Sequence, residues 1–292
     1  MNKISAISKL PEFLIIGAAR SGTTTLYTYL RMHPDVYMPK VKEPEYFSKD
    51  EIFNRGEKWY RSLFKKAKRQ QICGEASTSY THWPHYPYAA SRIASLLPKV
   101  KLIYIMRHPV ERAYSHYKRN IYSCEHDRSF EQALKKNRIY VDSGMYMKQI
   151  KQYLRFFPRK NFLFLIHTDL VQKPRLTLNR ISQFLGIREL DLTAKNIVIA
   201  ASSSPREQFR LNVTKHFRKN LGISFIIDAI PKSWRDKVFY KISDLHILKK
   251  QFKKYEQNKI LPETRTRLLR EFEIANRDLE HFLRRVLPGW FM

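Results

Sequence analysis

The stretch FLIIGAARSGTTTLYTYL, residues 13–30, constrains the fold more than any other part of the chain. Its first four residues are apolar and are followed at once by Gly17, the signature of a short buried strand. From Thr23 the apolar residues Leu26, Tyr27 and Leu30 fall at helical spacing, so a helix is expected over Thr23–Met32, ending before His33–Pro34. Strand, glycine-bracketed loop and helix in 20 residues is how an alternating α/β chain begins.

The alternation continues. We expect a brief strand at 72–74, a helix over 89–97 closed by Pro98, and an apolar strand KLIYIM at Lys101–Met106. A helix over 109–119 carries Pro109 in its first turn. Further on come a helix at 145–157, the strand FLFLI at Phe162–Ile166, and a helix at Pro174–Leu185 stopped by Gly186. Residues 35–70, with Pro39, Pro44 and Gly56, read as irregular. This order implies a central parallel sheet covered on both faces, a P-loop-like three-layer α/β sandwich. The pattern weakens after Ala200. Residues 205–258 hold 13 Lys/Arg against 5 Asp/Glu and no sheet signal, and 262–285 read as a strong amphipathic helix. The 292 residues therefore suit a single domain, with its core at about 12–200 and a basic helical C-terminal region at about 205–292.

Composition narrows the partners. With 18 Phe and 17 Tyr spread along it, the chain has the material for a packed core. The net charge of +29 is also spread, and such a field favours nucleotides, nucleic acid, acidic glycans or anionic lipid. Two cysteines, Cys73 and Cys124, exclude a disulfide framework while leaving a single bridge between them open, and no Cys/His cluster points to zinc. Lys3 and Lys9 precede an apolar run at 13–19 that could pass for a short signal segment, but the glycine loop directly after it favours a strand feeding a phosphate site. No stretch has membrane-spanning length. A soluble cytoplasmic enzyme is expected. The basic 205–258 region offers a contact for an acidic glycan or a membrane surface, with a solvated helical face as the plain alternative.

The loop after the first strand carries the first chemical signal. Gly17 and Gly22 bracket it as GxxxxG, Arg20 brings a permanent cation, and Thr23 and Thr24 bring hydroxyls to a helix N-terminus. Backbone amides and the helix dipole favour an anion there. A nucleotide kinase would need Lys at the position of Thr23 and an acid after KLIYIM to hold Mg²⁺. The strand ends instead in Arg107, so the loop cradles phosphate with no evident metal partner. Alone, a GxxxxG is better explained by an ordinary turn, and Arg20, the paired threonines and the strand–helix context reverse that reading. Arg107 and Ser115, eight residues on in the next helix, form a second grip, because ligands of parallel sheets sit at the carboxyl ends of strands. Arg107 by itself would more often be a structural ion pair. Arg112, Lys118 and Arg119 read as solvated helix charges or anchors. Two separate grips suit a nucleotide with phosphate at both ends of its ribose.

GAARSGTTTL, KEPEYF, GEASTSY and IMRHPVERAYSHY stand in the order and spacing of the sulfotransferases that use 3′-phosphoadenosine 5′-phosphosulfate (PAPS). The run GMYMKQIKQYLRFFPRKNFLFLIHTDLVQKPRLTLNRISQFLGI continues the resemblance, which covers about residues 12–187 and is closest to bacterial and heparan-sulfate-type carbohydrate enzymes. The resemblance implies that Arg20, Ser21, Gly22, Thr23 and Thr24 hold the 5′-phosphosulfate and that Arg107 and Ser115 hold the 3′-phosphate. Many members have Lys where this chain has Arg20, so Arg20 is assigned electrostatic stabilisation rather than proton donation. It implies further that Glu43, in Lys42–Glu43–Pro44–Glu45–Tyr46–Phe47, is the general base for a hydroxyl acceptor. Glu45 stands where the family often has His, and Ser48 where some members have an acid. Lys42, Glu75, Tyr80 and His82 are candidate acceptor contacts, and His82 and His85 are fallback bases. Trp83 is a candidate for stacking, with core packing the commoner fate of such a ring. The implied reaction moves a sulfonate group from PAPS to a carbohydrate or other hydroxyl, with no metal and no specific nucleic acid. The rivals are a P-loop kinase of a small metabolite and a non-enzymatic polyanion binder.

Overall fold

The computed structural model describes residues 9–122, 129–189 and 259–292. Cys124 and the basic 205–258 region lie outside the described residues.

Five parallel strands form one sheet in the order β2-β3-β1-β4-β5: β1 (Phe13–Gly17), β2 (Val36–Tyr37), β3 (Ile72–Ala76), β4 (Lys101–Met106) and β5 (Phe162–Ile166). The helices, in chain order, are α1 (Thr23–Met32), α2 (Asp50–Phe53), α3 (Gly56–Ser62), α4 (Ala89–Leu96), α5 (Pro109–Tyr122), α6 (Phe130–Lys136), α7 (Ile139–Asp142), α8 (Tyr146–Leu154), α9 (His167–Gln172), α10 (Pro174–Leu185) and α11 (Pro262–Leu283). The strands expected from the sequence are present, each within two residues of its expected ends. Residues 35–70 are less irregular than expected. They hold β2, α2 and α3, elements of two to seven residues that are too short to show a period.

The pleat sorts the sheet into two faces. Phe13, Ile15, Ile103, Ile105 and Leu165 face a layer made by α1, α9 and α10, whose Leu26, Leu30, Leu170, Leu178 and Ile181 are buried against them. Leu14, Ile16, Leu102, Tyr104 and Met106 face the other layer, with Tyr60 of α3, Ile93 of α4, Ile150 and Tyr153 of α8, and Leu279 of α11. This is the expected three-layer sandwich. Phe13 pairs with Gly74 in the ladder, and a Cβ on Gly74 would lie 2.0 Å from the Phe13 ring, so only glycine lets that ring cross β3. A third cluster joins Val110, Ala113 and Tyr117 of α5, Phe130 and Leu134 of α6, and Leu268 and Phe272 of α11. It holds α5 at the edge of the sheet. Among the described residues no helix is long and apolar enough to cross a membrane.

Topology places the site. From β1 the chain moves outward to β2 and returns to β3 on one side, then crosses to β4 and β5 on the other. The reversal leaves a crevice at the carboxyl ends of the central strands, where loops diverge.

Candidate active site

A cavity of about 1000 Å³ opens at that edge. The segments leaving β1, β3, β4 and β5 all contribute to its wall. The first is the loop between β1 and α1. The Ala18 amide donates to the Ile105 carbonyl at 2.7 Å, which ties the loop to β4. Arg20 takes the left-handed region at φ 67, and Gly22 follows at φ 97. Gly22 is the N-cap of α1, which has no side-chain cap and no acid in its first turn. The first amides of a 10-residue helix are thus left for whatever enters the cavity, with Thr23 and Thr24 beside them on the wall. Ser21 departs from its expected role. Its side chain is fully buried, off the wall, because the tight loop turns it inward, so only its backbone is left to serve an anion.

The second grip lies across the loop. Arg107, the first residue after β4, lines the cavity, and its Nη1 donates to the Arg20 carbonyl at 3.4 Å. Tyr146 steadies the Arg107 backbone, donating to its carbonyl at 2.6 Å and accepting from its amide at 3.2 Å. Arg20 Nε donates to Ser115 Oγ at 3.1 Å, so the two predicted groups meet in one site. Ser115 is followed on α5 by His116, Arg119 and Asn120, all on the wall. Of the two expectations for Arg112, a solvated charge or an anchor, the structure shows the anchor. Arg112 is fully buried, because its turn of α5 faces Tyr140, whose carbonyl accepts from Nη2.

Glu43 and Lys42 form another part of the wall. The Glu43 amide donates to the Ala76 carbonyl at 3.0 Å, which pins this loop to the end of β3. Lys42 Nζ and Thr78 Oγ1, the latter at 3.5 Å, both donate to Glu43 Oε1. Among the described residues Oε2 has no hydrogen-bond partner. Glu43 and Glu45 are both left-handed, at φ 58 and 56. With Arg20, that makes three of the four such non-glycine residues among the described residues members of the cavity wall, and strained conformations of this kind concentrate at functional sites. Glu45 pairs with Lys49 at 2.6 Å.

Three histidines line the same space. Burial pushes His82 down to about 3, with Arg112 and His85 adding to the effect. Burial and then Arg107 push His167 down to about 4, and His116 is held well below its usual range by burial and Arg112. All three are neutral imidazoles at neutral pH. Glu75 and Tyr80 depart from their expected role as acceptor contacts. Glu75 pairs with Leu14 in the ladder, so the pleat turns it into the aromatic layer, where Tyr60 donates at 2.7 Å and Tyr80 at 3.0 Å to Oε2. Burial there raises its pKa to about 7. His85 pairs with Asp142 at 3.1 Å and is off the wall, as is Trp83, whose backbone is bound by Gln149.

His167 and His116 were not singled out in the sequence, and Arg119, read there as a solvated charge or anchor, also lines the cavity. His167 follows β5 immediately, the placement that identified Arg107. Arg119 lies four residues after Ser115 on α5, hence on the same helix face. Among the described residues no group of His, Cys, Asp and Glu is placed to hold a metal ion.

The chain matches the sulfotransferase domain family over residues 10–264. It is 32% identical over 195 residues to heparan sulfate glucosamine 3-O-sulfotransferase 3B1 of Homo sapiens, which covers 64% of this chain and 48% of that protein. It is 34% identical over 190 residues to heparan sulfate glucosamine 3-O-sulfotransferase 6 of Homo sapiens, covering 62% and 54%. The chain spans about half the length of these curated relatives. The crystal structure of a sulfotransferase from Alicyclobacillus acidocaldarius shares the fold, with a TM-score of 0.68, 24% identity, and coverage of 97% of this chain and 100% of that one.

Proposed function

The chain belongs to the sulfotransferase domain family, and from that premise we propose that it transfers a sulfonate group from PAPS to a hydroxyl of a carbohydrate. The observation that carries this reading is the convergence on one cavity of two sets of anion donors with the Glu43 carboxylate. Arg20, Thr23, Thr24 and the uncapped amides of α1 are one set, and Arg107 with Ser115 the other. These donors suit a nucleotide bearing phosphate at both ends of its ribose, and the end of β4 carries Arg107 where a metal-dependent kinase would need an acid.

PAPS supplies a sulfonate already attached to a phosphate leaving group. The α1 amides and Arg20 stabilise the charge that develops on that phosphate, and arginine does so without giving up a proton. Arg107 and Ser115 hold the far phosphate and thereby the register of the nucleotide. Glu43, with Oε1 occupied by Lys42 and Thr78, has Oε2 left to take the proton of the attacking hydroxyl. A carbohydrate acceptor is supported by the relatives named for heparan sulfate. Glu45 on the cavity wall, where the family often has His, means that the acceptor is gripped by a different set of groups.

The test is to incubate the protein with labelled PAPS and heparan oligosaccharides, with a glycolipid and a phenol in parallel. Label in the carbohydrate fraction is the expected result. Label remaining in PAPS with every acceptor, or consumption of Mg-ATP instead, overturns the reading.

A further inference from the structure

Among the described residues, Arg112 is a cation buried without a counter-charge. Arg112 is 0% exposed and makes no ion pair among the described residues. Its Nη2 donates to the Tyr140 carbonyl, and its Nη1 lies 3.4 Å from Nδ1 of His116, four residues on along α5. A guanidinium has five N–H donors and no acceptor. A proton on His116 Nδ1 would therefore point hydrogen at hydrogen. The ring nitrogen facing Arg112 must be the lone pair, and the single imidazole proton is forced onto Nε2.

The surroundings also forbid a second proton. Among the described residues, the charged and titratable groups around the ring are Arg112 and Arg119 on α5, Arg20 on the phosphate loop, His82 after β3, and Tyr140 of α7, whose ring centroid lies 5.1 Å away. Among these only cations and neutral rings occur, and burial adds to their effect. His116 is thus an obligate neutral donor, of fixed orientation, on the wall of the cavity.

Its place along α5 decides what it can serve. Ser115, the preceding residue, is engaged with Arg20 on the nucleotide side. The His116 ring itself lies 5.9 Å from the ring of His82, which belongs to the segment that leaves β3 beside Glu43. His116 therefore stands between the phosphate loop and the wall that carries the base. We propose that His116 is an acceptor-binding residue, donating from Nε2–H to an oxygen of the acceptor, with its tautomer set by Arg112. This rests on the sulfotransferase reading. A neutral N–H donor serves a hydroxyl, ether or sulfate oxygen and rejects an ammonium group, which has no lone pair to offer it.

Two measurements test it. The first needs no acceptor: NMR of protein labelled in its histidine rings, with the His116 signal identified by its loss in His116→Gln. We expect the Nε2–H tautomer with no titration between pH 5 and 8. An Nδ1–H tautomer, or protonation within that range, overturns the proposal. The second compares variants in transfer from PAPS to the heparan oligosaccharide. His116→Gln retains an acceptor for Arg112 and an N–H donor, and is expected to stay within about threefold of wild type. His116→Phe retains the ring but no donor, and is expected to lose roughly tenfold in kcat/KM for the oligosaccharide, the size of one lost hydrogen bond. The nucleotide product, 3′-phosphoadenosine 5′-phosphate, should bind both variants as it binds wild type. If it binds His116→Phe more weakly, or if kcat/KM is unchanged, His116 is not an acceptor contact. Should His116→Phe not fold, the His116→Gln comparison and the tautomer decide. No transfer by the wild-type protein to any acceptor would sink the sulfotransferase reading itself, while the tautomer result would stand.

Discussion

At the scale of single residues, Glu43 lines the cavity while Glu75 is buried in the aromatic layer behind it. Glu43 is held at the surface of the cavity by Lys42 and Thr78, which both donate to Oε1. Glu43→Gln keeps the shape and the hydrogen bonds but cannot take a proton. Turnover at saturating substrates should fall about 10²–10⁴-fold, with binding of the nucleotide product unchanged by calorimetry. A loss of only a few-fold would mean that another group is the base. Glu75 is buried, and its carboxyl holds a proton up to about 7 in the fold, against 4.5 when exposed. Folding therefore takes up a proton between those values. The cost is absent below pH 4.5, grows as pH rises, and levels off above about 7 at on the order of 3 kcal/mol. In Glu75→Gln the amide carbonyl still accepts from Tyr60 and Tyr80, and its NH₂ replaces an oxygen, Oε1, that already lacks a partner. The melting temperature of Glu75→Gln should gain on wild type from pH 5 to pH 8. A difference that stays flat with pH would show that Glu75 is not protonated in the fold.

At the scale of elements, α5 supplies one side of the site, with Ser115, His116, Arg119 and Asn120, and it depends on α11, more than a hundred residues later in the chain. Phe272 of α11 is 0% exposed and closes the cluster beneath Val110, Ala113 and Tyr117. It lies against Gly144, where a Cβ would approach its ring to 3.0 Å. Arg265, also on α11, bonds to Glu111 of α5 at 2.7 Å. Phe272→Ala removes a ring from a packed cluster and should cost about 3–5 kcal/mol in denaturant unfolding. A cost below about 1 kcal/mol would mean that α11 does not support α5. Because α5 carries Ser115 and His116, the nucleotide and the acceptor should both bind less tightly to the variant.

At the scale of the whole molecule, the proposed nucleotide would bridge elements already joined around the cavity by the Arg20–Ser115 and Arg107–Arg20 bonds. Its proposed partners come from β1–α1, from the end of β4 and from α5, so binding opposes the unfolding of all of them together. The nucleotide product at 100 times its dissociation constant should add about 2.7 kcal/mol, read as a rise in melting temperature. ATP at the same concentration should add less, because it lacks the phosphate that Arg107 and Ser115 are proposed to read. Equal shifts from the two nucleotides would remove Arg107 and Ser115 from the nucleotide site.

The period of the apolar residues, together with glycine and proline, determined the layer architecture, since a buried parallel strand must read as a continuous apolar run whatever surrounds it. Lys101–Met106, Phe162–Ile166 and Pro174–Leu185 were legible to the residue for that reason. So was the convergence of Arg20, Arg107 and Ser115, because strand ends and helix starts fix where such residues must lie. The motif identified Glu43, but only the fold brought it to the same cavity, through a backbone bond to Ala76 that no local pattern encodes. The tertiary structure alone decided the fates of Glu75, Arg112 and His116. A side chain's burial depends on what packs over it from distant parts of the chain, and burial is what makes one carboxyl hold its proton, one arginine go without a counter-charge, and one imidazole present its single N–H from Nε2.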